Sequence, residues 1–284
     1  MFRRVAKQLK TLQVTSDLHL EFVNDINLST YLTPSAPALA IMGDLGWPTK
    51  PNYKTFLKQA SEAFDYVFYV AGNHEYYCQL PMHEVVDNIK TIVSEFDNVY
   101  FLNNDGVYFD NVKILGTTLW TKIPNHLVLT NISNDFNHIK IKHDDVIVPI
   151  TYHDINHLYC QSVDYIVKQT RKEENIVVMT HHLPSFKMIA PRYKSYKHQY
   201  LFASNLDDMI NNHHIKWWLC GHTHEPVRVS IGDCTCLTNP YGYHNKYQVY
   251  NKEYVIKLWL FIITCYIATR SIKCLKHPRS WLGL

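Results

Sequence analysis

Seven side chains that can bind a divalent cation follow five short apolar runs. The runs are LQVTSDLH, PALAIMGDLG, YVFYVAGNHE, NIVVMTHH and WWLCGHTH. The side chains are two carboxylates, one amide and four imidazoles: Asp17, His19, Asp44, Asn73, His181, His222 and His224. Seven ligands exceed what one ion normally uses, and the absence of thiolate favours Mn, Fe or Zn over a structural zinc site. The sequence therefore predicts two divalent metal ions, roughly 3.5 to 4 Å apart, with one carboxylate bridging them.

A centre of this kind would attract a phosphate ester. Two divalent ions, two aspartates and a bridging hydroxide leave about one positive charge around the ions, because Asn73 is neutral. Metal coordination also lowers the pKa of water toward ~7, so a metal-bridging hydroxide would be available as the nucleophile. The ligand types therefore predict a metal-dependent hydrolase of phosphomonoesters or phosphodiesters that needs no covalent side-chain nucleophile.

Buried strands must bring these side chains together. Each run is a short apolar segment closed by glycine or polar residues, which is typical of a strand buried on both faces. Asp17 and Asp44 are 27 residues apart, and Asp44 and Asn73 are 29 apart, about the length of a strand-helix-strand unit. Apolar residues at helical spacing predict helices over 53–64 and 82–96. We expect a parallel sheet whose carboxyl edge carries all five polar groups.

After residue 96 the apolar segments become shorter. Turn residues at 103–106 and 110–111 predict hairpins, so we expect a second, mixed or antiparallel sheet packed on the first. The segment 120–160 predicts an extended connection near the site, followed by a helix over 157–172. Further strands are predicted at PVRVSIG and CTCLTN, which would form a hairpin, and at EYVIKLW.

The order of the motifs resembles one known family, the calcineurin-like metallophosphoesterases. The matching residues are SDLH (16–19), GD (43–44), GNHE (72–75), His181 and GHTH (221–224). The resemblance implies an α/β fold of two facing mixed β-sheets flanked by α-helices, a four-layer αββα sandwich with a dinuclear site at the strand ends. The resemblance stops near residue 258, so we expect a domain over 1–258, followed by a hydrophobic and basic extension over 259–284 to which the resemblance assigns no role.

The resemblance also implies a role for each residue. One metal is assigned to Asp17, His19 and His224, and the other to Asn73, His181 and His222. Asp44 would bridge the two ions. His74, which is not a ligand in the family, would be the catalytic residue that reaches the substrate phosphate or protonates the leaving oxygen. An imidazole with a pKa near ~6.5 can do either at neutral pH.

Two segments depart from branches of the family. In GDLGWPT, Trp47 stands where the protein serine/threonine phosphatases keep an aspartate that orients the catalytic histidine, and the following arginine is also missing. The chain is therefore not expected to belong to that branch. The segment TNPYGY resembles the NPRGY-like segment of small phosphoesterases, with Tyr241 in place of the arginine. That replacement removes the basic side chain expected to contact phosphate.

Some assignments keep an alternative. His182 is the rival of His181, which we prefer because the pattern of the family that the chain resembles places the ligand immediately after the apolar strand and Thr180. Glu75 and Glu225 follow ligand motifs and are either partners of imidazole N–H groups or solvated turn residues. The segment 134–136 either borders the substrate pocket or is a structural loop.

Composition bounds the partners. The net charge is +3, but the last 34 residues are strongly basic, so the body carries about −2 and gives no strong nucleic-acid signal. We expect a small or accessible phosphoester as substrate. The alternatives are a nuclease of the same chemistry and a non-catalytic metal-binding scaffold of the same fold.

Cysteine usage and the termini bear on location. Seven cysteines without a CxxC pair favour a reducing compartment, and the N-terminus lacks the apolar stretch of a signal peptide, so we expect the cytoplasm. The run LWLFIITCYIA, at 258–268, is shorter than the roughly 20 residues of a membrane span. A membrane role is not expected, although a tail anchor stays an alternative to an element that packs on the body or on a second subunit, or to a poorly ordered extension.

Overall fold

The computed structural model describes residues 3–124, 133–170, 175–243 and 249–258. Within these ranges the strands are β1 (Arg3–Val5), β2 (Thr11–Thr15), β3 (Ala38–Met42), β4 (Tyr66–Val70), β5 (Val99–Phe101), β6 (Asp105–Phe109), β7 (Lys113–Gly116), β8 (Lys140–His143), β9 (Val146–Pro149), β10 (Ile176–Met179), β11 (Ile215–Cys220), β12 (Arg228–Ile231), β13 (Cys234–Thr238) and β14 (Val255–Lys257). The helices are α1 (Leu28–Tyr31), α2 (Pro51–Ala63), α3 (Met82–Val93), α4 (Asp135–His138), α5 (Tyr152–Gln169) and α6 (Asp207–Asn211).

The strands form two large mixed sheets. The first has the order β14-β2-β3-β4-β5, with β14 antiparallel to β2 and the other neighbours parallel. The second has the order β1-β6-β7-β10-β11-β13-β12, in which β6 and β12 run antiparallel to β7 and β13. The strands β8 and β9 form a separate hairpin. The expected α/β fold of two mixed sheets flanked by helices is confirmed.

The core lies on both faces of the first sheet. Between the sheets, one buried cluster takes side chains from both of them, including Met42, Phe68, Val70, Ile114, Val177 and Met179. The intervening residues Leu39 and Ile41 belong to a second cluster, which includes Phe56 of α2. Because both faces of these strands are buried, their sequences are continuously apolar rather than alternating.

The helices form the outer layers of the fold. The predicted helices over 53–64 and 82–96 are present as α2 and α3, which pack on β4 and β5. The helix α5 lies on the second sheet, where Ser162 contacts Thr117 at 2.8 Å between their hydroxyl oxygens. It begins at Tyr152 rather than at 157, because Thr151 and Asp154 form a capping box that starts the helix earlier.

The expectation of one parallel sheet carrying all five polar groups is wrong. The strands β2, β3 and β4 belong to the first sheet, whereas β10 and β11 belong to the second. The turn at 103–106 is not a hairpin, because β5 pairs with β4 and the chain then crosses to the second sheet at β6. The turn at 110–111 does join the antiparallel strands β6 and β7, as predicted.

The segment 120–160 is more structured than the extended connection that its sequence predicts. Its described part contains α4, the β8–β9 hairpin and the first half of α5. The predicted C-terminal strands are present as β12, β13 and β14. The predicted extension over 259–284 lies outside the described residues. Among those that the structure describes, no helix has the length and apolar character needed to cross a membrane.

The two sheets meet at the carboxyl ends of their central strands. His181, after β10, donates a hydrogen bond from Nδ1 to the carbonyl oxygen of Met42, at the end of β3, over 2.9 Å. Gly221, after β11, approaches so closely that an added Cβ would lie 2.8 Å from the same carbonyl oxygen and 2.7 Å from Oδ2 of Asp17. The approach of the sheets therefore requires glycine at this position.

Replacing Gly221 by alanine tests this contact. The added methyl group would overlap Met42 and Asp17, and overpacking of this kind lowers the free energy of unfolding by about 1–3 kcal/mol. Denaturant unfolding in the presence of a chelator measures the change without a contribution from metal binding. Ser230→Ala, on the exposed face of β12, is the control and should change stability by less than about 0.5 kcal/mol. Equal midpoints for the two variants would contradict the close approach.

Candidate metal centre

The backbone is strained where the candidate ligands lie. Five of these residues have positive φ angles: Asp17 (56°), His19 (49°), Asp44 (51°), His222 (70°) and His224 (51°). Residues other than glycine rarely adopt this left-handed conformation, and such residues cluster at functional sites. On a regular strand His222 and His224 would point the same way. The left-handed turns after Gly221 redirect them toward two different groups of side chains.

The first group takes ligand atoms from both sheets. Atoms of Asp17, His19, Asp44 and His224 all lie within 4.8 Å of one another. His19 Nε2 is 3.0 Å from His224 Nε2 and 3.7 Å from Asp44 Oδ2. His224 Nε2 is in turn 3.4 Å from Asp17 Oδ1. Lone pairs of nitrogen and carboxylate oxygen that converge in this way suit a divalent cation.

The second group shares Asp44 with the first. Atoms of Asp44, His181 and His222 also lie within 4.8 Å of one another. His181 Nε2 is 3.4 Å from Asp44 Oδ2, 3.1 Å from His222 Nδ1 and 3.0 Å from the side-chain oxygen of Asn73. The same oxygen of Asp44 therefore faces both groups, as a bridging ligand would.

Backbone amides hold the two aspartates. Asp44 Oδ1 accepts a hydrogen bond from the amide of His74 at 2.9 Å, which leaves Oδ2 directed at the two groups. Asp17 Oδ1 accepts one from the amide of His222, also at 2.9 Å. An added Cβ at Gly72 would overlap Asp44 Oδ1, so the GNHE motif needs its glycine at this point.

The amide of Asn73 is oriented by a residue of α4. Its Nδ2 donates to Asp135 Oδ1 at 2.9 Å and contacts the hydroxyl of Tyr77 at 3.0 Å, and that hydroxyl donates to the same oxygen at 2.6 Å. The carbonyl oxygen of Asn73 consequently faces His181. The segment 134–136 therefore makes a buried structural contact behind the site.

The geometry favours His181 over His182 as a ligand. His182 packs its ring against Trp120 and His222, with centroid distances of 5.3 and 4.4 Å, and its Nδ1 lies 3.3 Å from the carbonyl oxygen of Thr118. Burial and the neighbouring His181 lower the pKa of His182 to about 3. His182 is therefore a neutral packing residue behind the candidate ligands.

Glu75 matches neither of its two alternatives. Its carboxylate is fully buried and accepts hydrogen bonds from the amides of Leu45 and Gly72 and from the hydroxyl of Tyr69, at 2.7, 2.8 and 2.7 Å. It therefore fixes the loops that carry the candidate ligands and does not contact an imidazole. Glu225 forms an ion pair with Arg192, so it is not a solvated turn residue either.

Two residues near His74 were missed by the sequence analysis. Glu21 Oε1 is 2.8 Å from His74 Nδ1 and 3.1 Å from His19 Nδ1. The Tyr243 hydroxyl is 3.1 Å from His74 Nε2, and the Tyr243 ring centroid is 4.4 Å from that of His19. Tyr241 packs instead against Tyr31 and Tyr250. The glutamate of SDLHLE was the available signal, because it follows a candidate ligand histidine by two residues.

The electrostatics of the cluster favour bound cations. Burial lowers the pKa values of His222 and His224, so both are neutral, which is the form that binds metal. Despite burial, the charges of His181 and His74 hold the pKa of Asp44 well below its ordinary value. Against the effect of burial, Asp44 and Glu21 raise the pKa of His74 to about 9. The buried carboxylates thus stabilise positive charge, and the residues fit two divalent ions.

Comparison with known proteins identifies the family. A family model described as calcineurin-like phosphoesterase matches residues 11–226. Together with the two-sheet fold and the buried cluster of aspartate and histidine, this match defines a phosphoester hydrolase. The chain belongs to the calcineurin-like phosphoesterase family.

Two relatives cover most of the chain. Uncharacterized protein L509 of Acanthamoeba polyphaga mimivirus is 29% identical over 268 residues, which are 86% of this chain and 95% of the viral protein. The crystal structure of Phosphopantetheinyl Hydrolase (PptH) from Mycobacterium tuberculosis is similar with a TM-score of 0.66 at 16% identity, over 87% of this chain and 95% of that one. At this identity the second likeness concerns the fold alone.

The two adjacent histidines offer a matched test. We expect His181→Gln to weaken binding of one of two Zn²⁺ ions, because it removes a nitrogen directed at Asp44. His182→Gln, the control, should retain two ions. Isothermal titration calorimetry of the chelator-treated protein measures both stoichiometries. Loss of an ion in His182→Gln alone would reverse the assignment.

The contact behind Asn73 gives a second test. Asp135→Leu removes the acceptor that orients the amide, and loss of such a supporting contact typically weakens metal binding by about 10–100-fold. Tyr77→Phe, which removes one hydroxyl but keeps Asp135, should have a smaller effect. Zn²⁺ titration measures the weaker of the two binding events. Unchanged affinity in Asp135→Leu would show that Asn73 needs no orienting partner.

Proposed function

We propose that the protein hydrolyses phosphoesters with two divalent metal ions. One ion would be held by Asp17, His19 and His224, and the other by Asn73, His181 and His222. Asp44 would bridge them. The observation that carries the proposal is the position of Asp44 Oδ2, which lies 3.7 Å from His19 Nε2 and 3.4 Å from His181 Nε2 and so belongs to both groups.

Ions bound there would polarise the phosphoryl oxygens and, by lowering the pKa of a coordinated water toward ~7, supply the hydroxide nucleophile. The protein holds its ligands ready for this task, because backbone amides and buried carboxylates fix them in place. Asn73 contributes to the charge balance: a neutral amide at this position preserves the positive charge that attracts phosphate. The remaining requirement is a group that acts on the leaving oxygen.

His74 is placed to be that group. Its ring centroid is 4.5 Å from that of His19, and its Nδ1 is engaged by Glu21. Its Nε2 faces the hydroxyl of Tyr243 at the partly open side of the site. Nε2 is therefore the atom that would contact the phosphate or give a proton to the leaving oxygen.

Two exposed aromatic rings lie beside His74. Phe22 and Tyr243 are 53% and 42% exposed, and their ring centroids are 5.8 Å apart. A phosphate bound at the metal ions would direct its organic group toward these rings. This arrangement supports a small or accessible phosphoester as the substrate.

The activity test compares the wild type with Asp44→Asn. The wild type with Mn²⁺ should hydrolyse an aryl phosphate or a bis-aryl phosphate, and a chelator should abolish that activity until metal is restored. Loss of a supporting residue alone costs about 10–100-fold, so loss of the bridging carboxylate should cost at least about 100-fold. Asp87→Asn, exposed on α3, is the control. Full activity in Asp44→Asn would disprove the bridge.

A further inference from the structure

The carboxylate of Glu21 contacts two imidazoles at once. Its Oε1 accepts hydrogen bonds from Nδ1 of His74 at 2.8 Å and from Nδ1 of His19 at 3.1 Å. Glu21 is only 4% exposed. A carboxylate oxygen accepts hydrogen bonds, so each ring donates to it from Nδ1.

This contact fixes the orientation of both rings. With the proton on Nδ1, the lone pair of His19 is on Nε2, which lies 3.0 Å from His224 Nε2 in the first group of ligands. The corresponding atom of His74, Nε2, faces Tyr243 and the open side of the site. A carboxylate behind a metal-binding histidine sets the orientation and basicity of the ring. Here the same carboxylate does this for a second ring.

The segment around Glu21 is held from α2. Glu21 lies in a 3₁₀ turn, Leu20–Phe22, which follows the left-handed His19. Its carbonyl oxygen accepts a hydrogen bond from Lys50 at 2.6 Å, and Asn52 donates to the carbonyl oxygen of Val23 at 2.8 Å. Contacts on both sides of the turn therefore limit its movement, so the carboxylate is fixed relative to the two rings.

Glu21 and His74 lie in two separate 3₁₀ turns, Leu20–Phe22 and His74–Tyr77. Glu21 comes from a different strand end, 53 residues from His74 along the chain. Its second oxygen, Oε2, is buried and has no hydrogen-bond partner among the described residues.

We propose that Glu21 is a positioning residue shared by a metal ligand and the catalytic histidine. Through His19 it sets the affinity of the first metal site, and through His74 it directs Nε2 toward the leaving oxygen. This inference rests on the proposed function. It adds that metal binding and leaving-group chemistry depend on one buried carboxylate.

A double-mutant cycle tests the action through His74. Glu21→Gln, at saturating Mn²⁺, should lower kcat by about 10–100-fold with little change in KM. In a His74→Asn background the same substitution should lower kcat by less than about threefold. The reason is that Glu21 acts on kcat mainly through the imidazole of His74, which this background lacks. The loss should also grow as the leaving group becomes more basic. Equal losses in both backgrounds, or for all leaving groups, would overturn the proposal.

Glu225→Gln is the matched control, because Glu225 also follows a ligand histidine but pairs with Arg192. It should keep wild-type kcat and KM. Glu21→Asp retains the charge on a shorter side chain and should recover part of the activity lost in Glu21→Gln. If a folded Glu21→Asp recovers no activity, the charge of Glu21 has no role. Glu21→Asp also replaces Glu21→Gln as the test variant if Glu21→Gln does not fold.

Two further measurements need no activity. In the Zn²⁺-loaded protein, long-range ¹H–¹⁵N NMR should show a proton on Nδ1 of His74, and Glu21→Gln should reduce the occupancy of that proton. Calorimetry should give two ions in both proteins, with one bound about 10–100-fold more weakly in the variant. An unchanged Nδ1 proton on His74 would overturn the proposal. Binding of a third ion that is lost with Glu21 would also overturn it, because Glu21 would then itself be a ligand. If the wild type is inactive, the proposed function fails while these measurements still decide the role of Glu21.

Discussion

The arrangement depends on one buried carboxylate, that of Asp44, which faces imidazoles from two different sheets. His19 follows β2 of the first sheet and His181 follows β10 of the second, and Asp44 Oδ2 lies within 4 Å of both. Neither sheet alone could complete the cluster. The hydrogen bond from His181 to the carbonyl oxygen of Met42 keeps the two strand ends together at this point. The packing of the two sheets therefore also determines the geometry of the site.

This constraint costs conformational energy. Five of the candidate ligands have left-handed backbones, and each such residue costs on the order of 1–3 kcal/mol. The core between the sheets offsets this cost, because each fully buried large apolar side chain contributes about 1.5–3 kcal/mol, and several from each sheet are fully buried there. The large rigid core thus allows strain to be concentrated at the strand ends, where it aims side chains that a regular strand could not.

Three carboxylates outside the candidate ligand set support the cluster in different ways. Glu75 binds backbone amides of the ligand loops, Asp135 orients the amide of Asn73, and Glu21 accepts from His19 and His74. Each is buried. A buried carboxylate is costly unless its oxygens are satisfied by donors. Donors satisfy both oxygens of Glu75 and Asp135, whereas Oε2 of Glu21 has no hydrogen-bond partner among the described residues. Against the effect of burial, hydrogen bonds from His19 and His74 lower the pKa of Glu21, so its negative charge also favours the cations proposed for the site.

The sequence by itself determined the ligand types, their order and the elements that present them. Short apolar runs ending in Asp, Asn or His predicted the strand ends, and helical spacing predicted α2 and α3, because these signals are local along the chain. Only the tertiary structure decided that β10 and β11 lie in a different sheet from β2, β3 and β4. It also decided the partners: His19 meets His224 across 205 residues, Asn73 meets Asp135 across 62, and His74 meets Glu21 across 53. No periodicity records such pairs, since they arise from the way two separately formed sheets pack at one edge.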